Sequence, residues 1–323
     1  MINLRLTILI SFIIGFLLNL GCELATDVES VDANSSREKI SIVTTTTQVT
    51  DLVKRLVGNF CDIKPLMGPG VDPHSYKPTA LDITAISTAD MVIYHGLQLE
   101  GKLATILSNG KDRGIKIFAV SSRLPKQMLL ASDEDTSEYP DPHIWFAPKL
   151  WSQCLRDLSE YLIKELPNLR NQIIERRVLI ENEIDAITEW AQAELNSIPE
   201  DKRILITSHD AFRYLGESFG IKVIALQGIS TLQEAGLLDR SNLVDFIKKN
   251  RVGCLFIESS VNPKAIEEIA KQTGASIGAP LYSDALGPSE EKSIGPNQKA
   301  YPHDSWEGMM IYNVSSISRG LNP

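Results

Sequence analysis

From Ile40 onward, short β-branched runs alternate with segments of helical spacing. Ile40–Thr46, Ile63–Met67, Met91–Tyr94 and Ile115–Val120 read as strands, while Val49–Val57, Leu81–Ser87 and Leu99–Ser108 repeat apolar residues every three or four positions and read as helices. A second series begins at Arg203. Ile204–Thr207, Val223–Ala225, Cys254–Ile257 and Ala275–Ile277 are its strands, and Ala211–Phe219, Ser241–Asn250 and Pro263–Thr273 its helices, with a last helix near Ser305–Arg319. Such alternation predicts parallel strands joined by crossover helices. Between Val120 and Pro167 the pattern is assigned no element.

Between the two series, Pro167 and Pro199 bracket a stretch, Asn168 to Ile198, that contains neither Gly nor Pro. Leu169, Ile173, Ile180, Ile184, Ile187, Ala191 and Leu195 recur in it at helical intervals. At 1.5 Å per residue this helix would be roughly 45 Å long, enough to run along two lobes and limit how far they swing apart. The fold class expected is α/β, with two lobes, each a mostly parallel sheet flanked by helices, joined by one long helix. The boundaries expected are 39–166 for the first lobe, 167–199 for the linker helix and 200–323 for the second.

The N-terminal residues have a different character. Arg5 is the lone charge before Glu23, and Leu6 to Leu18 is apolar. That run is short for a membrane span, which needs about 20 residues, and it suits the apolar core of a secretory signal. It ends at Leu20-Gly21-Cys22, which resembles a bacterial lipoprotein processing site, although Asn19 stands where that pattern prefers Leu. Residues 1–21 are therefore read as a signal peptide, Cys22 as a site of lipid attachment, and 22–38, polar and poor in large apolar groups, as a flexible tether. Ordinary cleavage nearby, or an uncleaved anchor, is the alternative for Cys22; either way the rest of the chain is expected to be exported.

Composition narrows the function. With 41 acidic against 32 basic residues the net charge is −9, the wrong sign for a general nucleic-acid binder. The 4 cysteines include no Cys-x-x-Cys pair and are too few for a disulfide scaffold. There is no Gly-x-x-x-x-Gly-Lys-Ser/Thr loop, so the chain is not a P-loop ATPase.

The candidate chemistry lies in 5 histidines. Asp72-Pro73-His74 and Asp141-Pro142-His143 repeat one triplet, in which proline stiffens the loop that projects the histidine. His209 follows the strand Ile204–Thr207, and Asp284 comes shortly after the last strand of the second series. Ligands in open α/β sheets bind beyond the carboxyl ends of strands. His209 and Asp284 fit that rule, and His74 and His143 would serve from the first lobe. No local zinc-finger spacing exists, so such a metal site would be assembled by tertiary structure. Loop-tip histidines are also often merely exposed, and spacing alone leaves both readings open.

Several motifs in order carry a resemblance. Met67-Gly68-Pro69-Gly70-Val71-Asp72-Pro73-His74-Ser75-Tyr76, Gly96-Leu97-Gln98-Leu99-Glu100, Asp141-Pro142-His143-Ile144-Trp145, Thr207-Ser208-His209-Asp210-Ala211-Phe212, Phe256-Ile257-Glu258-Ser259-Ser260 and Tyr282-Ser283-Asp284-Ala285-Leu286-Gly287 resemble the zinc/manganese solute-binding proteins of ABC importers. The resemblance spans Ile40 to Leu321. It implies one divalent transition metal, bound between two lobes as transported ligand by His74, His143, His209 and Asp284. It also implies delivery to an ABC permease by a monomeric receptor in the periplasm or at the cell surface, and no enzymatic activity.

Three imidazoles and a carboxylate suit zinc as a tetrahedron, and a bidentate Asp284 would tolerate manganese. Zinc-selective relatives often carry a His-rich loop between the first two ligands, whereas segment 126–140 has none; His209, where manganese receptors can have Glu, points the other way. The metal is left as zinc or manganese. Asp72 and Asp141 read first as turn residues, with acceptance of a ligand's free imidazole N–H as a second role. Glu258 reads as a supporting or packing group, Trp145 as core, His95 as structural, His303 as a loop or helix-start residue, and the acidic run 133–138 as a solvated loop. A zinc hydrolase is the alternative function; it needs an open coordination position and a general base, and no His-Glu-x-x-His motif supplies one. Surface adhesion is a third reading, without a sequence feature of its own.

Overall fold

The computed structural model describes residues 39–131 and 139–322. The signal peptide, Cys22, the tether and the acidic run 133–138 lie outside the described residues.

The first half forms one parallel sheet. Strands β1 (Ile40–Thr44), β2 (Cys61–Pro65), β3 (Met91–Tyr94) and β4 (Lys116–Ala119) stand in the order β2-β1-β3-β4. Helices α1 (Thr47–Val57), α2 (Ala80–Thr88) and α3 (Ala104–Asp112) cross between them. Local chemistry marks their starts. Thr46 caps α1 by accepting from the Val49 amide, and Thr79 and Asp82 form a reciprocal capping box on α2. The chain continues through α4 (Pro148–Glu165), whose first residue is a proline, where a missing N–H costs nothing.

The long helix is real but shorter than its bracketing prolines suggest. Pro167–Leu169 form a 3₁₀ turn, and the α-helix, α5, runs Arg170–Asn196. Its 27 residues give about 40 Å. Ile173, Ile180, Ile184, Ile187, Ala191 and Leu195 are its buried stripe, as the pattern predicts.

The second half contains β5 (Ile204–Thr207), α6 (Arg213–Phe219), β6 (Lys222–Ala225), α7 (Leu237–Asn250), β7 (Cys254–Leu255), α8 (Lys264–Thr273) and β8 (Ser276–Ile277). Its strands pair in parallel as β5–β6 and β7–β8, and the Phe256 amide donates to the Ile206 carbonyl at 2.9 Å between the pairs. Strand β7 is shorter than the apolar run Cys254–Ile257, and beyond it Glu258 makes an isolated parallel bridge to Leu281. An antiparallel hairpin, β9 (Lys292–Ile294) and β10 (Ala300–Pro302), precedes the last helix, α9 (Trp306–Leu321). The sequence pattern assigns neither this hairpin nor α4.

Side-chain alternation along the strands divides the core. Val43 and Val92 point to a cluster private to the first half with Ile86, Leu103 and Leu107, and Ile206 and Leu255 to one private to the second with Leu243, Ile247 and Ile266. Their neighbours Ile42, Met91, Ile93, Leu205, Cys254 and Phe256 face a single larger core shared with α5. That shared core joins the halves beneath the loops at the carboxyl ends of the strands.

Candidate metal centre

Each of the four predicted residues sits on a loop held by its own hydrogen bonds. In the loop after β2, Asp72 Oδ1 accepts from the His74 amide at 2.8 Å. The second triplet repeats the turn: Asp141 Oδ1 accepts from the His143 amide at 2.9 Å. His209 is two residues past β5, and Glu258 Oε1 accepts from its amide at 2.9 Å. Asp284 follows Ser283, whose carbonyl accepts from Trp145 Nε1 at 3.1 Å and from Gln48 Nε2 at 3.4 Å. Asn313 of α9 holds the same loop by accepting from the Tyr282 amide and donating to its carbonyl, at 2.9 and 2.7 Å.

These loops converge. One donor atom from each of His74, His143, His209 and Asp284 lies within 4.8 Å of all the others, and all four residues are buried. The Nε2 atoms of His74 and His143 are 3.3 Å apart. His143 Nε2 is 3.2 Å from Asp284 Oδ1, and His209 Nε2 is 3.2 Å from Asp284 Oδ2. Donors at zinc-ligand distances in a tetrahedron are separated by about 3.3 Å; three of the spacings match that, and His74 Nε2 stands farther off, 3.9 Å from Asp284 Oδ1. Both oxygens of Asp284 and both ring nitrogens of His209 are buried without a hydrogen-bond partner, a costly state that a coordinated cation relieves. Among the described residues this is the one such cluster of His, Cys, Asp and Glu.

The electrostatics point the same way. Burial opposes charge on Asp284, yet His209, His143 and His74 hold its carboxyl well below the usual range. Burial likewise opposes charge on His143, but the Asp141 and Asp284 carboxylates lift it to about 9. His209 is raised well above its ordinary value by Asp284 and Glu258, again against burial. His74, for which burial outweighs Asp284, is lowered to about 4. The anionic centre thus calls for positive charge from its neighbours, a demand that a dication meets directly.

The supporting residues refine the sequence reading. Asp141 is more than a turn residue, because its Oδ1 also accepts from the His143 ring at Nδ1, 2.7 Å away, which turns Nε2 toward the cluster. Asp72 keeps the turn role and receives Ser75 Oγ and Thr231 Oγ1. Glu258 is a supporting group: its Oε2 lies 2.5 Å from His209 Nδ1, although outside hydrogen-bond geometry. His95 stays outside the cluster, donating from Nε2 to the Pro142 carbonyl at 2.7 Å, and burial lowers its pKa to about 3. His303 is buried ahead of α9 against Tyr282, Glu291 and Ser293. Trp145 is fully buried, and its N–H bridges to the Asp284 loop. Sequence reasoning missed Thr231, and also Tyr214, which donates to the Asp141 carbonyl. Neither lies in a motif that marks it.

A family model described as zinc-uptake complex component A, periplasmic (ZnuA) matches residues 42–320. The chain belongs to the ZnuA family. Among its relatives, the zinc-binding protein TroA of Treponema pallidum is 35% identical over 286 residues, covering 87% of this chain and 88% of TroA. The manganese-binding lipoprotein MntA of Bacillus subtilis is 33% identical over 293 residues, covering 89% and 91%. The solved structure of the Treponema pallidum periplasmic zinc-binding protein superimposes with a TM-score of 0.80 at 34% identity, over 88% of this chain and 100% of that one. As a ZnuA-family member the chain has the α/β fold with a long connecting helix that its sequence predicts.

Proposed function

We propose that this protein is an extracytoplasmic receptor that captures one divalent transition ion, zinc or manganese, through His74, His143, His209 and Asp284, and delivers it to the permease of an ABC importer. The convergence of three imidazoles and one carboxylate, all buried and with their donor atoms within 4.8 Å of one another, carries this reading. Membership of a family described as a zinc-uptake component supports it. The names of relatives, one zinc-binding and one manganese-binding, keep both ions in play. The protein is a receptor rather than an enzyme. Four protein donors fill a tetrahedron and leave no position for a water to be activated, which disfavours the hydrolase.

Residues 39–166 and 200–323 would act as the two lobes and 167–199 as their link. Ligands from both lobes draw the cleft together around the ion, and the core shared with α5 keeps the movement small. Release then requires the permease to disturb the ligands of one lobe. Export, attachment through Cys22 and a monomeric state complete the proposal. Mass spectrometry of the mature N-terminus tests the attachment.

The functional test is elemental analysis of protein purified from its own envelope, followed by zinc–manganese competition. His143→Ala and Asp284→Ala should each cut affinity sharply while the fold is kept. Wild-type binding by both variants would place the site elsewhere.

A further inference from the structure

Thr231 Oγ1 donates to Asp72 Oδ2 at 2.6 Å, across 159 residues of sequence. Asp72 lies in the loop that carries His74, and Thr231 in the loop that follows β6. The carboxylate is the one that aims His74: its Oδ1 accepts from the His74 amide at 2.8 Å, and its Oδ2 also accepts from Ser75 Oγ at 2.7 Å. A residue of the second half therefore grips the group that orients a ligand of the first.

Thr231 is itself anchored. Past β6 the chain stays paired with the His209 loop: Leu226 N donates to Thr207 O at 3.1 Å, Gln227 N to Ser208 O at 2.9 Å, and Asp210 N to Gly228 O at 3.2 Å. Thr231 comes three residues after Gly228. The His74 and His209 loops are thus tied through one hydroxyl.

The neighbours of Thr231 border the most exposed of the four residues. His74 is the most exposed of the four ligands, at 7%, against 0% for His143 and His209 and 1% for Asp284. A cavity of about 150 Å³ borders it, lined also by Gln98, Pro142, Ile229, Ser230 and Leu232. The residues flanking Thr231 are the second-half wall of that cavity. The bonds from Trp145 and Gln48 to Ser283 are buried, whereas the Thr231–Asp72 bond is only partly so.

We propose that the Thr231–Asp72 hydrogen bond is a latch on the His74 side of the metal site. Thr231 is a positioning residue: it slows release of the ion without donating to it. The proposal rests on the receptor reading above. A hydrogen bond to an ionised carboxylate is stronger than a neutral one, and its loss should speed release about tenfold.

The test follows zinc or manganese leaving the full chain into excess chelator, and entering the stripped protein, by stopped flow. Thr231→Val removes the hydroxyl and keeps the shape; Thr231→Ser keeps the hydroxyl. The expected result is about tenfold faster release from T231V, with uptake little changed, the melting temperature of the stripped protein unmoved, and T231S behaving as wild type. Wild-type release from T231V, release from T231S as fast as from T231V, or uptake and release accelerated by one common factor would each overturn the latch. If wild-type protein takes up neither ion, the receptor reading fails and the latch with it. If it does and T231V releases normally, the latch alone fails.

Discussion

Asp141 holds His143 at two points with one oxygen, accepting from the backbone amide at 2.9 Å and from ring Nδ1 at 2.7 Å. The first bond sets the loop and the second holds the ring through Nδ1, so that Nε2 is the nitrogen that faces the cluster. Loss of a carboxylate behind a ligating imidazole costs about 10–100-fold in metal affinity. Asp141→Ala should weaken zinc binding by that factor, measured by competition with a fluorescent chelator. An unchanged dissociation constant would show that His143 needs no such support.

Glu258 supports His209 with both oxygens, Oε1 accepting from the amide at 2.9 Å and Oε2 lying 2.5 Å from Nδ1 without hydrogen-bond geometry. Glutamine has a single acceptor oxygen and cannot serve both positions. Glu258→Gln therefore loses one of the two and should weaken metal binding by about tenfold or more, with the circular dichroism spectrum preserved. Wild-type affinity in E258Q would reduce Glu258 to a packing group.

The contrast between these two carboxylates shows where sequence reasoning succeeds and stops. Asp141 lies two residues from His143, so the repeated Asp-Pro-His triplet exposes both the proposed ligand and the carboxylate behind it. Glu258 is 49 residues from His209, and Thr231 is 159 from Asp72; only the folded chain brings them together. The strand–helix alternation and the stripe on α5 were readable because each is periodic. The hairpin β9–β10 has strands of 3 residues, too short to establish a period. The second-half strands are irregular for a related reason, since β7 gives way after Leu255 to the segment that presents Glu258.

Arg55 joins three elements. Its Nη1 donates to both oxygens of Glu307 in α9, at 2.8 and 2.7 Å, and its Nη2 to Glu183 in α5 at 2.6 Å. Glu307 is buried, and burial pushes its pKa up against the pull of Arg55. Removing one partner of such a pair typically costs about 3–5 kcal/mol, because a buried charge is left unpaired. Arg55→Ala should lower the denaturation midpoint in urea accordingly, and Arg55→Met combined with Glu307→Gln should recover part of the loss. A melt within a degree of wild type for R55A would remove the clamp from the account of stability.

Asp51 gives the pH dependence a sign. Its Oδ2 accepts from the Trp306 amide at the start of α9 at 3.1 Å and lies 3.7 Å from Arg55. Burial, with repulsion from Glu307 and Asp304, outweighs the pull of Arg55 and raises its pKa from 3.8 to about 7. Between those two values the folded protein holds a proton that the unfolded chain releases, so this group's contribution to stability falls as pH rises through the window and is level above it. Asparagine keeps an oxygen for the Trp306 amide and cannot ionise. Melting temperatures of chelator-stripped protein, measured from pH 4 to 8, should show Asp51→Asn gaining on wild type by about a few degrees up to pH 7 and then holding steady. A difference that is flat or shrinks across that range would mean that Asp51 is ionised in the folded protein throughout, with Arg55 and not burial in control.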